Sequence, residues 1–202
     1  MVSQSRFILL NLDYNYHNLK RTQILRAGLK LFVTHGMHVV TIAQIASAAK
    51  VGIGTVYRYF SSKEDIVQQI WIMQKSEESA YIFQHYRPQG TIREQFDFLW
   101  GKVIRYFLEH PLEFQFSYQF AASPILTREI HEIAMKDFLQ FDELFETGIK
   151  QNLFKPLTAR RLRLFTFSTI NGWIVWALDE HMSIDDLTIA MFLQMSWDSI
   201  SA

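Results

Sequence analysis

Residues 41–66 read TIAQIASAAKVGIGTVYRYFSSKEDI. Thr41 with Gln44 three residues later is a capping box: the Thr41 hydroxyl can accept the Gln44 amide, and the Gln44 side chain can reach back. Ile42, Ile45, Ala46 and Ala49 fall on one side of the helix begun there. KVG interrupts it. A short helix is expected from about Ile53 to Phe60, and SSKE caps another starting near Lys63. Two short helices joined by a tight turn make a helix-turn-helix. Ala43, Ala46, Ser47, Ala48 and Ala49 are small enough for a partner helix to come close, and Val51 is expected as the buried hinge.

The charge around this stretch suggests its partner. Residues 1–75 hold nine Lys/Arg against three acids, a net +6, in a chain whose formal net charge is zero. A basic first third on an acidic body points to a polyanion. In a helix-turn-helix the second helix enters the major groove with its N-terminal end towards the bases. Gly52 would cap that helix, and Gly54 would let the backbone approach a phosphate or base edge. The Tyr57 hydroxyl would reach a phosphate and its ring a thymine methyl. Lys63, at a helix start, suits a phosphate. Thr41, Thr55 and Arg58 supply further donors, and Ile53 joins them as a base-facing residue. Tyr59 and Phe60 are expected to pack inward.

The same residues resemble the DNA-binding signature of the TetR family of bacterial transcriptional regulators, T-x-x-x-I-A-x-x-A-G-V-S-x-G-T-x-Y-x-Y-F-x-x-K-x-x-L. The likeness extends over about residues 18–70, with Phe32 to Gly36 matching the end of the family's first helix. It departs at Lys50, where the family usually has Gly, and at Gly52, where Ser is frequent. Lys50 would then take a left-handed turn conformation, at a cost of ~1 kcal/mol, and place a positive charge near DNA. The resemblance implies a second domain that senses a ligand and dimerises.

The rest of the chain is read from spacing and punctuation. The chain has 202 residues, 49% of them hydrophobic, and no cysteine. That allows a substantial core and removes disulfides, thiol nucleophiles and cysteine metal sites, as fits a reducing compartment. No apolar window approaches a membrane span or a signal-peptide core, so a cytoplasmic location is expected. The apolar spacing is helical almost throughout. Helices are expected over about 18–34, 41–49, 53–60, 63–86, 91–110, 112–121, 124–151, 158–179 and 183–200. Ser123-Pro124 is read as one helix start, Thr91 with Glu94 as another, and Ser183 with Asp186 as the last. The fold class is therefore all-α with about nine helices: a helix-turn-helix domain over 1–65, including an N-terminal arm, and a sensing and dimerising domain over 66–202.

That second domain is unusually aromatic. Phe96, Trp100, Phe114, Phe141 and Phe167 are candidates to line a lipophilic pocket, with His110, Tyr118, Ser168 and Asn171 as polar anchors. The last two helices would form a four-helix bundle with a second copy through Phe165, Trp173, Trp176, Ile189, Phe192, Leu193 and Trp197, with Gly172 permitting close approach. Enzyme signatures are missing: HEIAM at 131–135 lacks the second His of a zinc motif, and no G-x-S-x-G or phosphate-cradling loop occurs. No cofactor or metal is expected. The reading is a homodimeric repressor on a palindromic DNA operator, released by a small hydrophobic or aromatic effector. The alternative is a helical sensor or scaffold without operator binding.

Overall fold

A computed structural model describes the backbone of residues 2–180 and 182–202, and the side chains from Asn18 onward apart from position 181. The side chains of the N-terminal arm thus lie outside the described residues. The architecture is all-α. The helices are α1 (Val2–His35), α2 (Ile42–Ala48), α3 (Ile53–Tyr59), α4 (Lys63–Phe83), α5 (Ile92–Glu109), α6 (Pro111–Phe120), α7 (Arg128–Met135), α8 (Leu139–Lys150), α9 (Ala159–Asp179) and α10 (Asp186–Ile200). Among the described residues, no helix is long and apolar enough to cross a membrane.

Local chemistry explains most boundaries. Gly36 ends α1 at φ +79°, a conformation that costs glycine little, and its amide donates to the Phe32 carbonyl at 2.9 Å. Both expected capping boxes form: the Gln44 amide donates to Thr41 Oγ1 at 3.2 Å, and the Glu94 amide to Thr91 Oγ1 at 3.2 Å.

The expected boundaries need four corrections. Helix α1 starts at Val2, not near Asn18; no Gly or Pro lies before Asn18 to stop it. Ser123-Pro124 opens a turn, with the Leu126 amide on the Ser123 carbonyl at 3.0 Å, and α7 starts only after Thr127. The single helix expected over 124–151 is split by a 3₁₀ turn, Lys136–Phe138, which accounts for the tenth α-helix. Asp185, not Ser183, caps α10, its carboxylate accepting the Thr188 amide at 2.8 Å.

Two compact units emerge. The first comprises the chain to Met73 plus Gln115–Ile130; the second comprises Gln74–Phe114 and His131–Ala202. In the first, Ile24, Leu25, Phe32, Ile45, Val56, Ile66 and Ile70 are fully buried. Helices α1 and α4 come close at Gly28, where a Cβ would meet the Ile66 side chain at 3.1 Å. Gln68 Nε2 also donates to the Ile125 carbonyl at 2.8 Å, tying α4 to the turn after α6. The second unit is organised around aromatic rings. Trp100 lies 4.8 Å from Phe141 and 4.6 Å from Phe167, centroid to centroid, and Phe96 lies 5.3 Å from Trp197. Each such ring contributes roughly 1.5–3 kcal/mol by burial, and tilted or edge-to-face pairing adds to it.

Candidate nucleic-acid interface

Helix α3 has seven residues, and its two faces are chemically distinct. Val56 and the capping residue Phe60 are buried, and they hold it against the first unit's core. On the other face Ile53, Gly54, Tyr57 and Arg58 are exposed, Ile53 by 49% and Tyr57 by 58%. Large apolar surface on an isolated helix face costs free energy unless something covers it. Thr55 and Tyr59 are half-buried at the boundary, and the Arg58 guanidinium lies 5.3 Å from the Tyr59 ring centroid. Phe60 is packed inward as expected, with the Arg21 guanidinium 5.7 Å from its ring.

The turn between α2 and α3 also follows the sequence reading in its main feature. Lys50 sits at φ +54° and is exposed. Its amide donates to the Ser47 carbonyl at 3.1 Å, and the Val51 amide to the Ala46 carbonyl at 2.9 Å. Val51 itself is half-buried; Val56 is the buried pin of this junction. Gly52 begins α3 without a side-chain cap, as glycine must. Nothing lies within 4 Å of where a Cβ on Gly54 would stand. The protein's own packing therefore does not require glycine there.

A groove of about 610 Å³ runs beside this face, lined by Thr41, Ile42, Ala43, Ile53, Tyr57, Ser61, Ser62, Lys63 and Glu64. It brings Thr41, from the start of α2, together with Ile53 and Tyr57 of α3. Lys63 has partners within the chain. Its ammonium turns inward and donates to the carbonyls of Met37, at 3.0 Å, and Val40, at 2.9 Å. At the same helix start the Asp65 amide donates to Ser62 Oγ at 3.1 Å. The Glu64 carboxyl is held below its ordinary range, chiefly by its own backbone amide and then by the Ser62 hydroxyl.

The candidate effector residues divide. Phe96, Trp100, Phe114 and Phe141 are buried, Phe167 is half-buried against them, and their rings fill the second unit's core. His110 stacks on Tyr106 with centroids 4.4 Å apart, its Nδ1 2.8 Å from the Tyr106 carbonyl. Asn171 is half-buried with its side-chain oxygen enclosed, and Ser168 is exposed, its hydroxyl on the Leu164 carbonyl. Tyr118 belongs to the first unit and is 60% exposed. Among the described residues no three His, Asp or Glu side chains converge to hold a metal ion.

The expected pairing residues divide as well. Ile189, Phe192 and Leu193 are buried in the protomer's own core, Trp173 stacks on Phe192 at 4.5 Å, and Trp197 is half-buried. Phe165 and Trp176 remain open, 46% and 47% exposed. With them on α9 stand Leu164, Ser168 and Gly172, and on α10 Leu187, Met191 and Met195. Of these, sequence reasoning named Gly172 for the interface and missed Leu164, Leu187 and Met191. The signal was the four-residue spacing of Leu187, Met191 and Met195, opposite the Ile189–Phe192–Leu193 face.

Comparison with known proteins bears on this arrangement. Residues 24–70 match the model of bacterial regulatory proteins of the tetR family, and residues 91–201 match a tetracyclin repressor-like C-terminal domain. The regulator HbdR of Aromatoleum sp. (strain CIB) is 48% identical over 48 residues, 24% of this chain and 21% of that protein. The fatty acid metabolism regulator protein of Bacillus subtilis (strain 168) is 25% identical over 166 residues, 80% of this chain and 85% of that protein. Two solved structures share the fold. A TetR family regulator from Marinobacter aquaeolei VT8 superposes with a TM-score of 0.84 at 22% identity, covering 93% of this chain and 98% of that one. FadR from Bacillus subtilis in complex with stearoyl-CoA does so at 0.69 and 19%, covering 88% and 95%. With the helix-turn-helix and the helical body each matched over their own residues, the chain belongs to the TetR family of bacterial transcriptional regulators.

Proposed function

We propose that this regulator is a homodimeric repressor that binds a palindromic operator and is released by a small lipophilic effector. The observation that carries the DNA half is the outward face of α3. Ile53, Gly54, Tyr57 and Arg58 are presented together, next to Thr41 and Lys50, while Val56 and Phe60 anchor the helix from behind. Apolar, phenolic and cationic groups beside a bare backbone suit base edges, thymine methyls and phosphates. The open stripe on α9 and α10 supports the dimer: Phe165, Trp176, Leu187, Met191 and Met195 are exposed, and Gly172 has open space where a Cβ would stand. A two-fold pair of reading heads then requires half-sites about 34–36 Å apart.

The effector belongs to the fatty-acyl class on this reading. The B. subtilis relative is a regulator of fatty acid metabolism, and stearoyl-CoA occupies a structure of the same fold. In this chain the aromatic core of Phe96, Trp100, Phe114, Phe141 and Phe167 would part to admit an acyl chain. Trp100 Nε1 and Asn171 Oδ1 are buried polar atoms without a hydrogen-bond partner among the described residues, a donor and an acceptor for a polar group near the chain. Release requires the effector to bind the DNA-free state more tightly than the DNA-bound one. The test is anisotropy titration of a duplex selected from a random library, with and without acyl-CoA thioesters of increasing chain length. A selected consensus without two-fold symmetry would refute the dimeric operator. Unchanged affinity with every thioester, while an unrelated metabolite releases the duplex, would refute the acyl class.

A further inference from the structure

One side of α4 buries charge. Glu78 and Ser79 stand three and four residues after Lys75, so the three share a face of the helix. All three are buried, Glu78 completely, and all lie in the second unit. The Lys75 ammonium is 2.6 Å from Glu78 Oε2. It is also 5.9 Å from the ring centroids of both Phe107 and Phe138, so aromatic rings flank it. The second carboxylate oxygen, Glu78 Oε1, is enclosed and has no hydrogen-bond partner among the described residues. Taking such an oxygen out of water costs free energy that a partner must offset. A buried Lys–Glu pair is also no more stabilising than apolar residues of similar volume. Packing alone therefore does not account for it.

A cleft of about 440 Å³ lies beside this face, between Ser79, Ala80 and Phe83 of α4 and Lys136, Leu139 and Gln140 of the 3₁₀ turn and α8. The Phe138 ring packs on Phe83 at 6.1 Å and adjoins the Lys75 ammonium, so it borders both a wall of the cleft and the ion pair. Phe138 ends the 3₁₀ turn, where the α-helical hydrogen-bond ladder is broken, and its ring can shift at less cost than from mid-helix. Phe83 and Phe138 both pack on Phe141, at 5.7 and 6.3 Å, and Phe141 packs on Trp100. The ion pair thus borders the aromatic core into which an acyl chain would enter.

We propose that Glu78 Oε1 accepts from a hydroxyl carried on the effector's acyl chain, so that the effector is a hydroxyacyl rather than a plain acyl compound. The inference rests on the acyl-effector reading above. A carboxylate oxygen only accepts, so its partner must donate. A cationic donor would bring its charge against the Lys75 ammonium, and an anionic group would be repelled by Glu78 itself. An amide would bring a carbonyl that also has to be satisfied. A neutral O–H on an otherwise apolar chain answers both the orphan oxygen and the surrounding rings.

The test is calorimetric titration without DNA. The probes are palmitoyl-CoA, its derivatives with a hydroxyl on the third or the tenth carbon, and the oxo derivatives at the same carbons. A hydrogen bond to a charged group should make one hydroxylated probe at least about tenfold tighter than palmitoyl-CoA. The matching oxo probe cannot donate and should stay within about twofold of palmitoyl-CoA. No gain from either hydroxyl, as when water already fills the place, overturns the proposal, and so does an oxo probe as tight as the hydroxyl. Lys75→Met with Glu78→Leu removes both charges together and leaves neither unpaired. In that variant, folded by circular dichroism, the hydroxyl preference should fall below about twofold. A preference that persists, or loss of binding to every probe, overturns the proposal. Should the double variant not fold, the hydroxyl and oxo probes on the unsubstituted protein decide alone. If no thioester binds at all, the acyl reading fails and this inference with it. Binding of palmitoyl-CoA without a hydroxyl preference fails only this inference.

Discussion

Gly54→Ala should move stability and DNA binding in opposite directions. Position 54 is the second residue of α3, is exposed, and lies outside the left-handed region of backbone space. Nothing is within 4 Å of an added Cβ, so the methyl meets no protein atom. Alanine in a helix is better than glycine by about 0.5–1 kcal/mol. For a chain of this size that corresponds to a rise in Tm of roughly 1–4 °C. If the bare backbone exists for DNA to approach, the same methyl stands in the interface and separates a phosphate or base edge from the helix. We expect a loss of at least tenfold in affinity for a selected duplex, which is about 1.4 kcal/mol. The assays are thermal unfolding by circular dichroism and fluorescence anisotropy on the same preparation. Raised stability with undiminished affinity would show that DNA does not approach α3 at Gly54. Lowered stability would show that the open space around the glycine has been misread.

Other perturbations separate the remaining parts of the proposal. Trp176→Glu, at a site 47% exposed in the protomer, should change protomer stability by no more than about 0.5 kcal/mol yet give a monomer in sedimentation equilibrium; an unchanged dimer refutes the proposed face. Phe141→Ala empties a fully buried site between Trp100, Phe83 and Phe167 and should cost about 3–5 kcal/mol in denaturant unfolding; a cost below about 1 kcal/mol would mean that the cluster is loosely packed. The Asp185 carboxyl is held below its ordinary range by the Thr188 hydroxyl and then the Thr188 amide. A folded value below the unfolded one contributes stability above the ordinary aspartate range, and that stability is lost as the pH falls through the lowered value. Glu64 and Glu94 are lowered in the same sense. Asp185→Asn should therefore flatten the acid limb of a plot of unfolding midpoint against pH, and an unaltered limb would show that the cap does not carry this linkage.

Much of the reading head was legible because its signals are local. A capping box needs only residues three apart along the chain, and Thr41 with Gln44 formed it. The family resemblance implied a left-handed turn residue at position 50, and Lys50 adopts that conformation at φ +54°. The same reasoning did not find the contacts that Lys63 makes within the chain. From the sequence it is a basic residue at a helix start facing a polyanion; its actual partners are carbonyls 23 and 26 residues earlier in the chain. No periodicity encodes such a contact. Ser123-Pro124 failed for a related reason, since a cap followed by proline serves a turn as well as a helix, and only the hydrogen bonds around it decided between them.

By itself, then, the amino-acid order determined that the chain is helical, where the basic reading head begins, and that Phe60 at the end of its short third helix turns inward. Apolar period, caps and glycine placement are properties of neighbours in sequence, and they survive into any tertiary context. The tertiary structure decided which of two apolar faces each late helix spends on its own core. Ile189, Phe192 and Leu193 went inside while Phe165, Trp176, Met191 and Met195 stayed out, because α10 has apolar residues on both sides and only its packing against α5 and α9 selects one. It also decided which backbone carbonyls the lysine at the start of α4 would bond. An ammonium goes where acceptors converge, and that convergence exists only once α1, α2 and α4 have come together.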